Sequence, residues 1–167
     1  MRDYLNRERK RNRENTNIAS YNCGGFALGT YSWYLPYYDF ETREEQVSEL
    51  LSRGFNEEQI YRKLTALDTT QILSDFKDRL RIIKNEKDLS TDETLIAYRF
   101  FVEFNYYCGA LHYEDSDFHF RVKFNDTWYE KNGDKAISVV ENMDLEEPWD
   151  AHWCEYDSNT ILFALKN

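Results

Sequence analysis

Residues 117–131, with the sequence DFHFRVKFNDTWYEK, decide how the second half of the chain folds. Apolar side chains take every second position, which is typical of a strand with one buried face: Phe118, Phe120, Val122, Phe124. The polar side chains between them then belong to the opposite face, and His119 is one of these. Asn125-Asp126 suits a two-residue hairpin turn, so residues 127–131 are predicted to return as an antiparallel strand.

Four further segments carry the apolar and β-branched residues that favour strands. They are residues 80–83, 94–103, 137–140 and 160–165. All of them lie between residues 80 and 165, so the sequence predicts a sheet built mainly from antiparallel strands.

Three helices are predicted between residue 41 and these strands. An apolar stripe runs through residues 41–53, and Gly54 is placed to end that helix. Asn56 suits the cap of a second helix, and Asp68 or Thr69 could start a third. Helices followed by antiparallel strands indicate an α+β fold.

Length and charge limit the domain count and the partners. The 167 residues carry a net charge of −10, and residues 1–17 hold six basic residues against three acidic ones, so the rest holds 15 basic and 28 acidic residues. We interpret residues 1–17 as a basic arm or frayed helix and residues 18–167 as a single domain. The acidic body argues against a nucleic-acid partner.

Cysteine use and hydropathy bear on the compartment. Three cysteines without an apolar signal segment indicate a reducing compartment, so we expect a cytoplasmic protein. No apolar run approaches the ~20 residues that span a bilayer, so no membrane partner is expected. The spacings of Cys108 with His112 and of His152 with Cys154 do not match structural zinc sites. We expect no metal and no cofactor, and the Cys154–His152 pair remains the alternative catalytic dyad.

The segment Tyr21-Asn22-Cys23-Gly24-Gly25-Phe26 carries the candidate nucleophile. A thiol attacks as thiolate, and a helix N-terminus or a nearby imidazolium lowers its pKa. The two glycines allow backbone or substrate to approach closely, and free amides of the first helical turn could face an oxyanion. The alternative is a small buried cysteine in a packed turn.

This segment resembles the nucleophile segment of papain-like cysteine peptidases of the NlpC type. In that family an aromatic and an acidic residue precede the cysteine; this chain has Asn22 where an aspartate is usual. The resemblance extends to a strand that starts Asp117-Phe118-His119. It continues on the return strand with a tryptophan, a basic residue and a glycine: Trp128, Lys131, Gly133. It implies a papain-like layout with the cysteine on the leading helix.

The hairpin register gives the candidate base its partner. If Asn125-Asp126 is the turn, His119 and Glu130 are diagonal neighbours on one face, within reach of a long side chain. A carboxylate there could orient the imidazole toward the thiol. The resemblance implies a histidine where this chain has Glu130. The alternative is an exposed ion pair of little energetic value.

Two functions follow as expectations. The first is a cysteine peptidase, amidase or acyltransferase with Cys23, His119 and Glu130 as a triad on an amide or isopeptide bond of a peptide or protein. Oxyanion support would come from the Cys23 amide with Asn17 or Tyr21, and Asn22 would shape the local polar network. The second is a non-enzymatic, acidic, phage-type inhibitor with a basic partner, which includes a papain-like fold that has lost turnover.

Overall fold

The computed structural model describes residues 18–151 and 153–167. Three α-helices lie in the first half of the chain: α1 (Cys23–Ala27), α2 (Phe40–Ser52) and α3 (Glu57–Phe76). Eight strands follow them: β1 (Leu80–Ile83), β2 (Glu93–Tyr107), β3 (Ala110–Phe124), β4 (Thr127–Lys131), β5 (Ile137–Val140), β6 (Trp149–Ala151), β7 (Cys154–Tyr156) and β8 (Ile161–Lys166). This is the predicted mixture of helices and antiparallel sheet, an α+β architecture.

Six strands form one antiparallel sheet in the order β1-β8-β2-β3-β4-β5, and β6 pairs with β7 in a separate hairpin. The hairpin between β3 and β4 has the predicted register, with Phe124 opposite Thr127 and Arg121 opposite Glu130. Asn125 and Asp126 both have positive φ, at 47° and 64°. A tight two-residue turn requires this conformation, and asparagine and aspartate tolerate it.

Two apolar clusters lie on the two faces of the sheet. The cluster under the helices contains the four alternating residues of β3 together with Cys23 and Phe26 of α1. The cluster on the other face includes Leu95 and Trp128 of the sheet and Trp149 and Tyr156 of the β6–β7 hairpin. Helices therefore cover one face of the sheet, and the β6–β7 hairpin covers part of the other.

One predicted helix boundary is wrong. Asp68 does not start a third helix, because α3 continues without a break from Glu57 to Phe76. Asp68 is buried inside α3, where its carboxylate bonds to Arg43 of α2 and to the hydroxyl of Tyr98 in β2. The predicted cap at Asn56 is present, and Asn56 and Gln59 form a reciprocal capping box.

The prediction for residues 1–17, a basic arm or frayed helix, concerns residues outside the part of the chain that the structure describes. Within the described part, no helix is long and apolar enough to cross a membrane.

Candidate functional site

His119 lies at the centre of the sheet face that the β6–β7 hairpin covers. Its side chain is fully buried, at 0% exposure. The ring lies 5.3 Å from the Tyr156 ring and 6.3 Å from the Trp149 ring, measured between centroids. The alternation along β3 thus sends the phenylalanines to the helices and His119 to the hairpin-covered face, as the sequence pattern predicts.

Glu130 of β4 contacts His119 directly. Its Oε1 atom lies 2.7 Å from His119 Nε2 and accepts a hydrogen bond of 2.8 Å from Arg121 Nε. Burial alone would raise the pKa of Glu130, but the hydrogen bond and charge of His119, followed by those of Arg121, outweigh it and lower that pKa. Glu130 is therefore an ionised acceptor, so the proton of a neutral His119 imidazole belongs on Nε2 and the lone pair on Nδ1.

Trp149 of β6 packs the β6–β7 hairpin against this group. The guanidinium carbon of Arg121 lies 4.6 Å from the centre of the Trp149 ring, and that of Arg99 lies 5.2 Å from it. Arg99 also donates hydrogen bonds to backbone carbonyls of Leu145 and Ser158, on either side of the hairpin. The two arginines thus hold the covering segment in place above His119.

Cys23 is the first residue of α1 and is buried at 4% exposure. Burial raises the pKa of its thiol to about 12, although the backbone amides of Phe120 and Gly24 and the charge of Lys131 act to lower it. The sequence predicts a lowered pKa from a helix N-terminus and an imidazolium. The helix has only five residues and the thiol is out of water, so desolvation is the larger effect.

The Cys23 thiol and the His119 imidazole are related through the backbone of β3, not by a contact between their side chains. The Phe120 amide, adjacent to His119 in the chain, acts on the Cys23 sulfur, whereas the His119 ring turns to the opposite face and bonds to Glu130. Within the described residues, no hydrogen bond joins Cys23 to His119. The structure thus places the Cys23 side chain in the helix-side cluster and the His119 ring on the hairpin-covered face, without a direct bond between them.

Tyr21 and Asn22 shape the turn before Cys23. The Asn22 side chain accepts a hydrogen bond from the Gly25 amide and exchanges two with the backbone of Tyr34, at 2.7 and 3.0 Å. An aspartate could not donate to the Tyr34 carbonyl, which gives a physical reason for asparagine at this position. The Tyr21 carbonyl accepts a hydrogen bond from Lys131. Asn17 lies outside the described residues.

Close backbone packing explains Gly25. A Cβ at Gly25 would lie 1.8 Å from the carbonyl oxygen of Ser32, so only glycine fits. The chain itself makes the close approach that the sequence suggested for backbone or substrate at this glycine.

Sequence reasoning assigned no role to Asp117 and Lys131, the two charged residues that act on the thiol. The charge of Asp117 raises the pKa of Cys23 and that of Lys131 lowers it, both after the larger effect of burial. Asp117 accepts a 3.0 Å hydrogen bond from the Tyr156 hydroxyl. Lys131 is fully buried and bonds to the carbonyls of Tyr21 and Gly133. Both residues belong to the motif quoted for the resemblance, which is the signal that could have drawn attention to them.

Of the other cysteines, Cys108 lies apart from this group and Cys154 lies close enough to share the charge of Asp117 with Cys23. Cys108 is exposed at the turn between β2 and β3, where the ring of His112 stacks on Tyr107 at 4.0 Å. Cys154 lies in β7, and His152 is outside the described residues. Among the described residues, no three His, Cys, Asp or Glu side chains are placed to share a metal ion.

A cavity of about 670 Å³ lies between the β4–β5 loop and the β6–β7 hairpin. The described residues that line it come from the β4–β5 loop and the β6–β7 hairpin: Asn132, Lys135, Asp150, Ala151, Trp153, Cys154, Glu155. Asn132 directly follows Lys131 in the chain. The charge of Asp117 raises the pKa of Cys154, as it raises that of Cys23.

Comparisons with known protein families, with curated proteins and with solved structures gave no match to this chain.

Proposed function

We propose that this protein is a papain-like cysteine hydrolase or acyltransferase that acts on an amide or isopeptide bond. Cys23 would be the nucleophile, His119 the general base and Glu130 the group that orients the imidazole. The observation that carries the proposal is the buried hydrogen bond between His119 and Glu130, one residue along β3 from the amide beside Cys23. With the proton of the neutral His119 imidazole on Nε2, toward Glu130, the basic lone pair of the ring is on Nδ1.

The raised pKa of Cys23, about 12, determines how the first step would run. At neutral pH the thiol is protonated, so its proton would pass to His119 as sulfur attacks the carbonyl carbon. This transfer requires the His119 ring to turn from the hairpin-covered face toward Cys23. The imidazolium would then protonate the leaving amine as the C–N bond breaks, giving a thioester on Cys23. Water or a second amine would attack the thioester and release the thiol. The Cys23 amide, at the start of α1, would stabilise the oxyanion.

A trapped acyl-enzyme tests this proposal. The full chain is incubated with p-nitrophenyl acetate and each cysteine is assayed for acetylation by mass spectrometry, with exposed Cys108 as the internal reference. We expect Cys23 to be acetylated in the wild type and acetylation to fall at least about 100-fold in His119→Ala, the usual scale of general-base catalysis. Cys108 acetylation should not change. Unmodified Cys23, or modification independent of His119, would overturn the proposal.

A second candidate function is that of an acidic binding protein with a basic partner. The raised pKa of Cys23 and its burial favour this alternative, because a buried thiol that stays protonated can fill the core without taking part in catalysis. The net charge of −10 suits a basic partner. A salt-sensitive complex with a basic protein that survives Cys23→Ala, together with an unreactive Cys23, would identify this function and would include a papain-like fold that has lost turnover.

A further inference from the structure

The hairpin of β2 and β3 extends beyond the rest of the six-stranded sheet. Both strands have 15 residues, but β8 pairs with β2 only over residues 93–98, and β4 pairs with β3 only over residues 121–124. The far part of the hairpin, residues 103–116, therefore pairs only with itself among the described strands. We call this part the ribbon.

The outer edge of β2 has no partner along the ribbon. Beyond β8, two side-chain hydroxyl groups bond to this edge, and the second, that of Tyr61, accepts from the Val102 amide. Amides that face one edge of a strand recur at every second residue, so those of Phe104 and Tyr106 come next. No group in the described part of the chain bonds to either of these amides. The edge can therefore accept an added strand.

Two exposed aromatic rings lie beside this open edge. The side chains of Tyr106 and Tyr107 are 70% and 53% exposed. The His112 ring of β3 stacks on Tyr107 with 4.0 Å between ring centroids, which holds that tyrosine on the ribbon. Tyrosine is enriched at protein–protein interfaces. The open edge and the exposed rings together indicate a surface that binds another protein chain.

The charge of the ribbon identifies the kind of partner. The ribbon holds three carboxylates and no lysine or arginine: Glu103, Glu114, Asp115. Glu103 lies directly opposite Asp115, and like charges in opposite positions destabilise a pair of strands. None of the three carboxylates forms an ion pair with a described residue. A cationic partner strand would relieve this repulsion and would have complementary charge.

We propose that the outer edge of β2 in the ribbon binds an extended, lysine- or arginine-rich segment of a partner protein, which adds to the hairpin as a further strand. Successive side chains of a strand point to opposite faces. The segment would therefore alternate cationic residues, on the face of Glu103, with apolar residues, on the face of Phe104 and Tyr106. This inference rests on the second candidate function, to which it gives a contact surface, and not on the hydrolase.

Binding is measured by fluorescence anisotropy on the full chain with three labelled, capped octapeptides. The first alternates lysine with valine, and the second alternates glutamate with valine. The third is the lysine peptide with its backbone amides N-methylated, which keeps the charge and blocks strand pairing. We expect the first peptide to bind at least about tenfold more tightly than either of the others. On its addition, the amide resonances of residues 103–107 should shift.

Two double variants locate the effect. Glu103→Gln with Asp115→Asn should remove most of the preference for the lysine peptide. Glu45→Gln with Glu49→Gln removes the same charge from α2, on the helix-covered side of the sheet, and should retain the preference. Thermal unfolding checks the fold, and the ribbon variant should be no less stable than the wild type because it loses a like-charge pair.

Each contrary outcome is specific. Equal affinity for the lysine peptide and its N-methylated form would overturn strand addition, and equal effects of the two double variants would overturn the location. Self-association of the chain through the ribbon, without peptide binding, would make a second copy the occupant and overturn the proposal. A complex with a basic protein that persists in the ribbon variant would retain the second candidate function and overturn only the ribbon surface.

Discussion

Two groups of buried charges lie on opposite faces of the sheet. Under the helices, Arg43 pairs with Asp68, whose carboxylate also accepts a hydrogen bond from the Tyr98 hydroxyl. On the other face, Glu130 holds both His119 and Arg121. Burial raises the pKa of Asp68 despite its partners, whereas His119 and Arg121 lower the pKa of Glu130 despite burial.

Both groups are ion pairs with added hydrogen bonds, but the residues that surround them differ. Arg43 packs 4.1 Å from the Tyr37 ring centre and bonds to Gln46, inside the layer between helices and sheet. His119 instead lies one residue from the amide that acts on Cys23. Buried charge alone therefore does not mark a site; the contact between the β3 backbone and Cys23 distinguishes the second group from the first.

The largest effect is expected when the helix-side pair is broken. Asp68→Asn leaves Arg43 buried without a counter-charge and should lower the free energy of unfolding by about 3–5 kcal/mol in urea denaturation. Arg43→Met combined with Asp68→Leu removes both charges and should recover most of the loss. A loss below about 1 kcal/mol in Asp68→Asn would show that the pair is not desolvated as described.

An intermediate and pH-dependent effect is expected at Glu130. Glu130→Gln should lower stability by about 2 kcal/mol at pH 7, since it removes hydrogen bonds to charged groups. The folded pKa of Glu130 lies below its unfolded value, so its contribution is present above the unfolded pKa of about 4.3 and is lost as pH falls through the folded pKa. Urea midpoints at pH 7, 5, 4 and 3 should therefore converge between wild type and variant; a constant gap would contradict this assignment.

The smallest effect is expected at an exposed pair on the same face of β3. Lys123 bonds to Glu86, whose side chain is 48% exposed. Glu86→Gln should change the free energy of unfolding by less than about 0.5 kcal/mol, because water screens such a pair. Thermal unfolding at low and high salt measures it. A loss as large as that of Glu130→Gln would mean that burial does not separate the two groups.

The local part of the fold was predictable. Residues 80–83 and 137–140 form the strands that their composition indicates, and the Asn125-Asp126 turn sets the register that brings Glu130 to His119. The cap at Asn56 is equally local. Each of these features depends on a few adjacent residues, whose propensities the sequence displays directly.

The non-local part was not predictable. Asp68 suits a helix cap by type, but it lies inside the continuous helix α3 and its carboxylate pairs with Arg43 instead of capping a helix. The short β6–β7 hairpin has no periodic pattern long enough to detect, although it covers the candidate site. The pKa of Cys23 depends on how many atoms surround the sulfur, which only the assembled layers determine.

The order of strands also constrains how the protein is made. β8 comes last of the eight strands along the chain, yet it lies between β1 and β2 and pairs with both. A nascent chain can form α3 and the β2–β3–β4 hairpins early, but the sheet stays divided until β8 arrives. Until that moment the edges of β1 and β2 are open to other chains. A ribosome stalled before residue 161 would therefore present an aggregation-prone intermediate, and chaperones would be needed most in that interval.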